Sequence, residues 1–515
     1  MATPAEKLAA ALDVLKQLQD KGIVAIKAAE LSRTIRERLV DNGFIKEVYK
    51  GWYMAAPPNE AKGDSTSWYT SYWDFCAQHL EDKYGKEWCI SPEQSLLIHG
   101  GNWTVPQQLI VKSPAATNFK TDLPFGTSLF HIKALLPAGA EMVESNGIRM
   151  LSLPSALIQA SPNTFTQNPI DTRTALSMVR DASEILTPLL DGGQSVVAGR
   201  MAGAFRNIGQ NRIADTILKT MERADFKVRE IDPFDSKLPV PLSGRDHSPY
   251  ANRIRLMWQQ MRDTVIGNFP KAPGMPTDKA SYMKQVDAVF VTDAYHSLSI
   301  EKYKVTPELI ERVRNGTWNL ADNEQDRKQR DAMAAKGYLE AFKAVEKSIE
   351  RILEGGNAGD IVDADHEEWY REMFGPSVSA GLLKASDLAG YRSHQVYISQ
   401  SKHVPLNKEA VRDAMPVLFE MIRQEPEASV RTVLGHFIFV FIHPYMDGNG
   451  RMGRFLMNAM LASGGYPWTV VPVEQRDAYM AALEAASVNQ NIEPFTNFLG
   501  LLVTESLKGK PVAKI

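Results

Sequence analysis

The run Val430–Ile442, "VRTVLGHFIFVFI", is apolar almost all the way round, and "HPYMDGNGRMGRF" follows it at once. A segment without a polar face must be covered on every side, so the chain around it has to supply layers that bury it. Length and context favour a helix, although periodicity alone leaves a strand open. Pro444 restricts the residue before it, so His443 is expected in extended backbone, ending the helix with its imidazole at a loop mouth. A glycine-rich turn follows, and a second helix is expected to begin near Arg451.

The residue types in that turn define a chemistry. A Gly-rich loop feeding a helix N-terminus offers backbone N–H groups and a positive dipole end to a phosphate. Arg451 and Arg454, three apart, share one helix face and extend the anion site. Asp447 can hold Mg²⁺, which neutralises polyphosphate charge and usually takes one or two carboxylates. His443, four residues before Asp447, is placed to take a proton from an incoming hydroxyl. Singly, a His beside Pro, a DGNG turn and two arginines are common structural features. Their coincidence at this spacing points to a reaction centre.

The whole chain of 515 residues suggests roughly three to four domains. Its net charge of −3 means that nucleic-acid binding would have to come from a local patch. Cys76 and Cys89 alone give no disulfide framework, which favours a reducing cytoplasm. The N-terminus has no signal-peptide core, and no stretch approaches the ~18 apolar residues of a membrane span, so a cytoplasmic protein without a membrane partner is expected.

Polar, Pro-containing breaks near 54–60 and 232–250 divide the chain into three regions, expected as a winged helix-turn-helix (1–58), an α+β domain (59–240) and a mostly helical remainder, itself read as a helical segment (241–345) and a mainly helical core (346–515). In the first, Leu8, Leu12, Leu15 and Leu18 form an amphipathic stripe stopped at Gly22. "KAAEL" is a short second helix, Ser32 caps a third, and "FIKEVYKGWYM" turns as a hairpin at Lys50-Gly51. The third helix of such a module would lie in a DNA major groove, with Arg33, Arg36, Arg38, Lys46 and Lys50 as candidate contacts to double-stranded DNA. The stretch "AAELSRTIRERLVDNGFIKEVYKGWYM" resembles the N-terminal domain of AbiEi-type antitoxins, and the likeness continues into the middle region. That resemblance implies a DNA-binding autorepressor. "DGGQSVVAGR" (Asp191–Arg200) lacks the Lys-Ser/Thr of a P-loop and reads as a turn.

"HPYMDGNGRMGR" resembles the signature of the Fic (Fic/Doc, Fido) family, H-P-F-x-D/E-G-N-G-R-x-x-R, with Tyr445 where Phe is usual. The likeness runs over roughly 287–507. It implies a mainly α-helical Fic fold with a β-hairpin flap, and transfer of AMP from Mg-ATP to a Ser, Thr or Tyr hydroxyl of a protein, this chain itself included. Under that resemblance His443 is the general base and Asp447 the magnesium ligand. Gly448, Asn449 and Gly450 line the anion hole, and Arg451 and Arg454 hold the outer phosphates. "LAGYRSHQVYIS" resembles the family's G-x-Y-R opening and flap, with Gln395, Val396, Tyr397 and Ile398 as the flap strand that pairs with a target. Tyr479 matches a tyrosine near the adenine, and Ser487 falls where an adenine-contacting Asn is common.

"AYHSLSIEKYKV" resembles the family's inhibitory motif S/T-x-x-x-E-G/N in its class II position, ahead of the core. Ser297 and Glu301 then share a helix face, and Glu301 would pair with Arg454 and keep the ATP γ-phosphate from seating. Lys302 stands where Gly or Asn is usual. Three alternatives stay open: a de-AMPylase on the same fold, a phosphate-transferring Doc type (which carries Lys where Gly450 stands), and a DNA-bound regulator that only senses nucleotide. A homodimer is compatible with all of them.

Overall fold

The computed structural model describes residues 3–61, 63–238, 242, 248–317 and 326–515. It resolves into two compact units, Met1–Pro249 with Tyr397–Val404, and Tyr250–Val396 with Pro405–Ile515. Within the expected linker at 232–250, residues 232–238 form no helix or strand, while 239–241 and 243–247 lie outside the described residues.

In the first unit the helix Pro4–Asp20 starts at a Thr3–Glu6 capping box, and Leu15 with Ala11 forms its buried stripe. "KAAEL" makes only a 3₁₀ turn, Ala28–Glu30, and Ser32 caps the helix Arg33–Asp41. Strands β1 (Ala25–Lys27), β2 (Ile45–Tyr49) and β3 (Trp52–Ala55) form an antiparallel sheet in the order β1-β3-β2. Ala11, Leu15, Ile26, Leu31, Leu39 and Ile45 make the core beneath it.

The middle of this unit is α+β. Strands β4 (Cys89–Ile90), β5 (Gln108–Ser113), β6 (Phe119–Asp122) and β7 (Ser128–Lys133) make a mixed sheet ordered β4-β5-β7-β6, in which β5 and β7 run parallel. Beside it stands the hairpin β8 (Met142–Ser145) and β9 (Ile148–Leu151). An aromatic core of Trp68, Tyr72, Phe75 and Trp88 also takes in Trp52 and Met54 of β3. The strip Tyr397–Val404 packs in this unit: Gln400 N donates to Thr66 Oγ1 (3.0 Å), Val105 N donates to Lys402 O (2.9 Å), and Val404 lies on the aromatic core.

The second unit is helical, with no strand among its described residues. Its centre is the apolar helix Ala428–Ile442, covered by Lys408–Gln424, Asn449–Ala462, Arg476–Asn489 and Glu493–Leu507, which explains why it needs no polar face. The helices Lys279–Ile300, Asp326–Leu353 and Ala358–Ser379 complete the bundle around Asn449–Ala462. No described helix is long and apolar enough to cross a membrane.

Candidate active site

The central helix ends at Ile442 as expected, but His443 does not extend. It sits in left-handed backbone (φ 55°, ψ 61°), with its N–H donating to Phe439 O at 3.0 Å. The restriction imposed by Pro444 is overridden by tertiary bonds: Arg392 Nε donates to His443 O (2.7 Å), and Arg392 N donates to Pro444 O (2.9 Å). His443 Nδ1 lies 3.1 Å from Val440 O, and a carbonyl only accepts, so Nδ1 carries the proton and Nε2 keeps its lone pair. Burial pushes the His443 pKa down to about 4, with Arg392 adding to the shift and Glu301 and Asp447 opposing it. At neutral pH the ring is uncharged, with Nε2 free to accept a proton.

The helix Asn449–Ala462 begins two residues earlier than the sequence suggests, because Gly448 turns the chain at φ 81° and a side chain there would strike Phe374. The Asn449 side chain faces inward: Oδ1 accepts from Tyr445 N (2.9 Å) and Nδ2 donates to Tyr445 O (2.8 Å), which fixes the loop's shape. Asp447 stands exposed at the rim, with Oδ2 at 3.6 Å from Arg451 Nη2.

Both arginines are buried. Arg451 lies between the rings of Tyr303 (5.1 Å) and Phe374 (5.0 Å), and its Nε and Nη2 have no hydrogen-bond acceptor among the described residues. Arg454 Nε donates to Ser297 Oγ (2.9 Å), and its Nη2 donates to Ser297 O (3.0 Å) and Glu301 Oε1 (2.8 Å), while Nη1 has no hydrogen-bond acceptor among the described residues. Burial works against the Arg454 charge, yet Glu301 beside it holds its pKa above the ordinary value. Buried donors left without acceptors are costly, and an incoming polyanion would satisfy them.

Glu301 reaches this place from the C-cap of the helix Lys279–Ile300. The turn behind it closes although Lys302 replaces the usual Gly or Asn: Lys302 N donates to Ser299 O (2.9 Å) and Tyr303 N to Leu298 O (3.1 Å). Lys302 adopts φ 65° to do so. Left-handed backbone costs a side-chain-bearing residue about 1 kcal/mol, so Lys302→Gly is expected to raise thermal stability by roughly that amount. A thermal or denaturant midpoint that stays put or falls would contradict this account of the turn.

Below Arg454 lies a buried polar layer that the sequence did not announce. Tyr338 donates to Asp293 Oδ2 (2.6 Å), and burial raises the Asp293 carboxyl to about 6. Tyr479 Oη and His436 Nε2 are 2.7 Å apart, and burial pushes that His down to about 3 and that Tyr up to about 12. Tyr479 is 1% exposed and interacts electrostatically with Arg454 from within this layer. Ser487 lies further along the same helix, partly exposed.

The expected β-hairpin flap is not formed: no strand lies between Arg392 and Leu406. The acceptors that a ladder would use are taken by side chains. Arg392 binds His394 O and Leu406 O, and Gln395 Nε2 donates to Val396 O (3.1 Å) and Pro405 O (2.8 Å). Gln395 and Val396 belong to the second unit, whereas Tyr397 and Ile398 belong to the first.

In the first unit, Arg33 pairs with Glu37 (2.7 Å), Arg36 donates to Ala28 O (2.9 Å), Arg38 donates to Lys7 O (3.1 Å) and Lys46 pairs with Glu60. Arg33 and Lys50 are exposed, Lys50 at the tip of the β2–β3 hairpin.

Residues 365–461 match the Fic/DOC family. A relative named "Protein adenylyltransferase Fic" from Nematostella vectensis is 27% identical over 278 residues, 52% of this chain and 58% of that protein. One of the same name from Drosophila yakuba is 34% identical over 144 residues, 27% of each chain. Fic-1 from C. elegans, in a solved structure, aligns with 70% of this chain and 90% of that one at 15% identity and a TM-score of 0.38. The chain thus spans little more than half of the Nematostella relative and about a quarter of the Drosophila one.

Proposed function

We propose, starting from a Fic/DOC domain at residues 365–461, that this chain transfers AMP from ATP to a hydroxyl side chain of a protein and is restrained by Glu301. The observation that carries the reading is the pair of buried arginines with unsatisfied donors, one already occupied by Glu301, close to a histidine held neutral. Relatives named as protein adenylyltransferases support the same chemistry.

In this mechanism His443 Nε2 takes the proton of the target hydroxyl while its Nδ1–H stays on Val440 O. The hydroxyl oxygen bonds to the α-phosphorus, the bond from that phosphorus to the bridging oxygen breaks, and pyrophosphate leaves. Backbone N–H groups at the start of the helix Asn449–Ala462 and the Arg451 donors stabilise the charge that develops. Arg454 takes the terminal phosphate once Glu301 swings away, with Ser297 holding the guanidinium in place. Asp447, exposed at the rim of the loop, is the residue that would hold a magnesium ion. That ion supplies neutralisation of polyphosphate charge.

The test is label transfer from ATP labelled at the α- or the γ-phosphate, in separate reactions with the full chain and a cell lysate. Label from the α position on protein, lost in His443→Ala, is the expected result. Transfer of γ-label, or removal of AMP from modified protein without forward transfer, overturns the reading in favour of a kinase-like or reverse activity.

For the N-terminal module we propose a winged helix-turn-helix, antitoxin-like, that binds duplex DNA. The order helix, short turn, helix, hairpin and the β1-β3-β2 sheet support it, with Arg33 and Lys50 among the exposed candidate contacts. Replacing both by Ala should weaken duplex binding several-fold and flatten its salt dependence. An unchanged affinity and salt slope would remove the proposal.

A further inference from the structure

Arg392 lies outside every regular element and outside the signature loop, yet it is 1% exposed. Its donors all go to main-chain carbonyls, from three separate stretches of the second unit. Nε donates to His443 O (2.7 Å), Nη1 to His394 O (3.1 Å), and Nη2 to Leu406 O and, more weakly, Ile442 O (3.5 Å). No carboxylate is bonded to it among the described residues, and burial pulls its pKa down to about 10. A buried cation without a counter-ion is expensive, so its retention calls for a task that a neutral side chain would not perform. A planar guanidinium directs several donors at fixed angles, which a flexible ammonium cannot do.

The place it binds is strained. His443 holds left-handed backbone immediately before a proline, a conformation that persists only where the surroundings over-determine it. Arg392 grips the carbonyls on both sides of the His443 nitrogen and α-carbon, those of Ile442 and His443, and its own N–H grips Pro444 O. The same fork holds His394 and Leu406, the stems on either side of the strip Tyr397–Val404. Gln395 Nε2 joins those stems again at Pro405 O.

We propose that Arg392 is the positioning residue for His443: one guanidinium fixes the left-handed backbone that aims the imidazole and ties both stems to it, so the base and the stems are set as one piece. The proposal rests on His443 as the base, but its first measurement does not. Hydrogen exchange of the full chain is compared with that of Arg392→Lys, which keeps the charge and loses the fork. Exchange is expected to rise about tenfold in peptides covering both 442–447 and the stems, with the helix Asn449–Ala462 unchanged. Unchanged exchange at 442–447, or a rise throughout the second unit, overturns the proposal. Gln395→Ala, which cuts only the stem-to-stem bond, should loosen the stems and leave 442–447 protected; loosening of both would place the tie at Gln395 instead.

The second readout is made in a Glu301→Gly background. Arg392→Lys should lower the rate of α-label transfer about a hundredfold while ATP affinity stays within about threefold. Equal losses in rate and affinity would mean a general structural role and overturn it. If the Glu301→Gly parent transfers no label, the proposed activity has failed, and the exchange result still decides the case of Arg392.

Discussion

Replacing Glu301 by glycine is expected to raise AMP transfer by one to two orders of magnitude. The carboxylate shares Arg454 Nη2 with the Ser297 carbonyl, and a hydrogen bond between charged groups in a buried setting is worth about 1.5–3 kcal/mol, which sets that range. Under the proposed function, nucleotide in the parent chain must displace this carboxylate before its terminal phosphate reaches the guanidinium. In Glu301→Gly the guanidinium waits unpaired, and an uncompensated buried charge lowers stability. Two opposite shifts should therefore appear together in one variant. Its thermal midpoint falls without nucleotide, and ATP raises that midpoint further than it does for the parent, because the ligand now supplies the missing counter-charge. Equal activity and equal stabilisation by ATP in parent and variant would remove Glu301 from any inhibitory role.

Removing the imidazole with His443→Ala is expected to cut transfer by about 10²–10⁴-fold, the usual worth of a general base, with ATP affinity changed only a few-fold. The pH profile separates this role from a merely steric one. Because burial holds the His443 ring near 4, the active neutral form persists well below the ordinary histidine range, and the acid limb should appear below about pH 5. The linkage has the same sign. A histidine whose folded pKa is depressed contributes stability that is fully present above 6.5 and is lost as pH falls through about 4. Acid thus removes the base and loosens the fold over one window. An inflection near 6.5 in Glu301→Gly would mean that the ring is solvated while turning over, or that another group accepts the proton.

The shape of the loop from His443 to Arg454 was legible because neighbouring residues specify it. Helix, turn and helix follow from an apolar run, a Pro, two glycines and an Arg pair with no help from distant chain. Glu301 was legible for a related reason, a short motif whose partner, Arg454, the signature had already named. What failed was local inference where a tertiary bond decides. The residue before Pro444 should extend, and Arg392, 51 positions away, holds it in the left-handed region. Alternation at Gln395–Ile398 suits a strand, but Arg392 and Gln395 side chains take the acceptors that a ladder would need. Tyr303 and Phe374 around Arg451, and Asp293 and His436 below Arg454, carry no signal of their own. An aromatic or a buried His in a helix reads as core until the fold shows which charge it faces.

The place of Gly450 has a consequence for which residues can coexist. A Cβ built there would collide with Glu301 Oε1 and crowd Arg454 Nη1. Its bare α-carbon is therefore a socket for the Glu301 carboxylate. A side chain at 450 would force the Glu301 carboxylate to shift from its place beside Arg454, so the glycine and the glutamate, 149 positions apart, are coupled through that contact. On the proposed function, a chain that first gives up Glu301 is free to vary at 450, and one that first enlarges 450 has already loosened its own restraint.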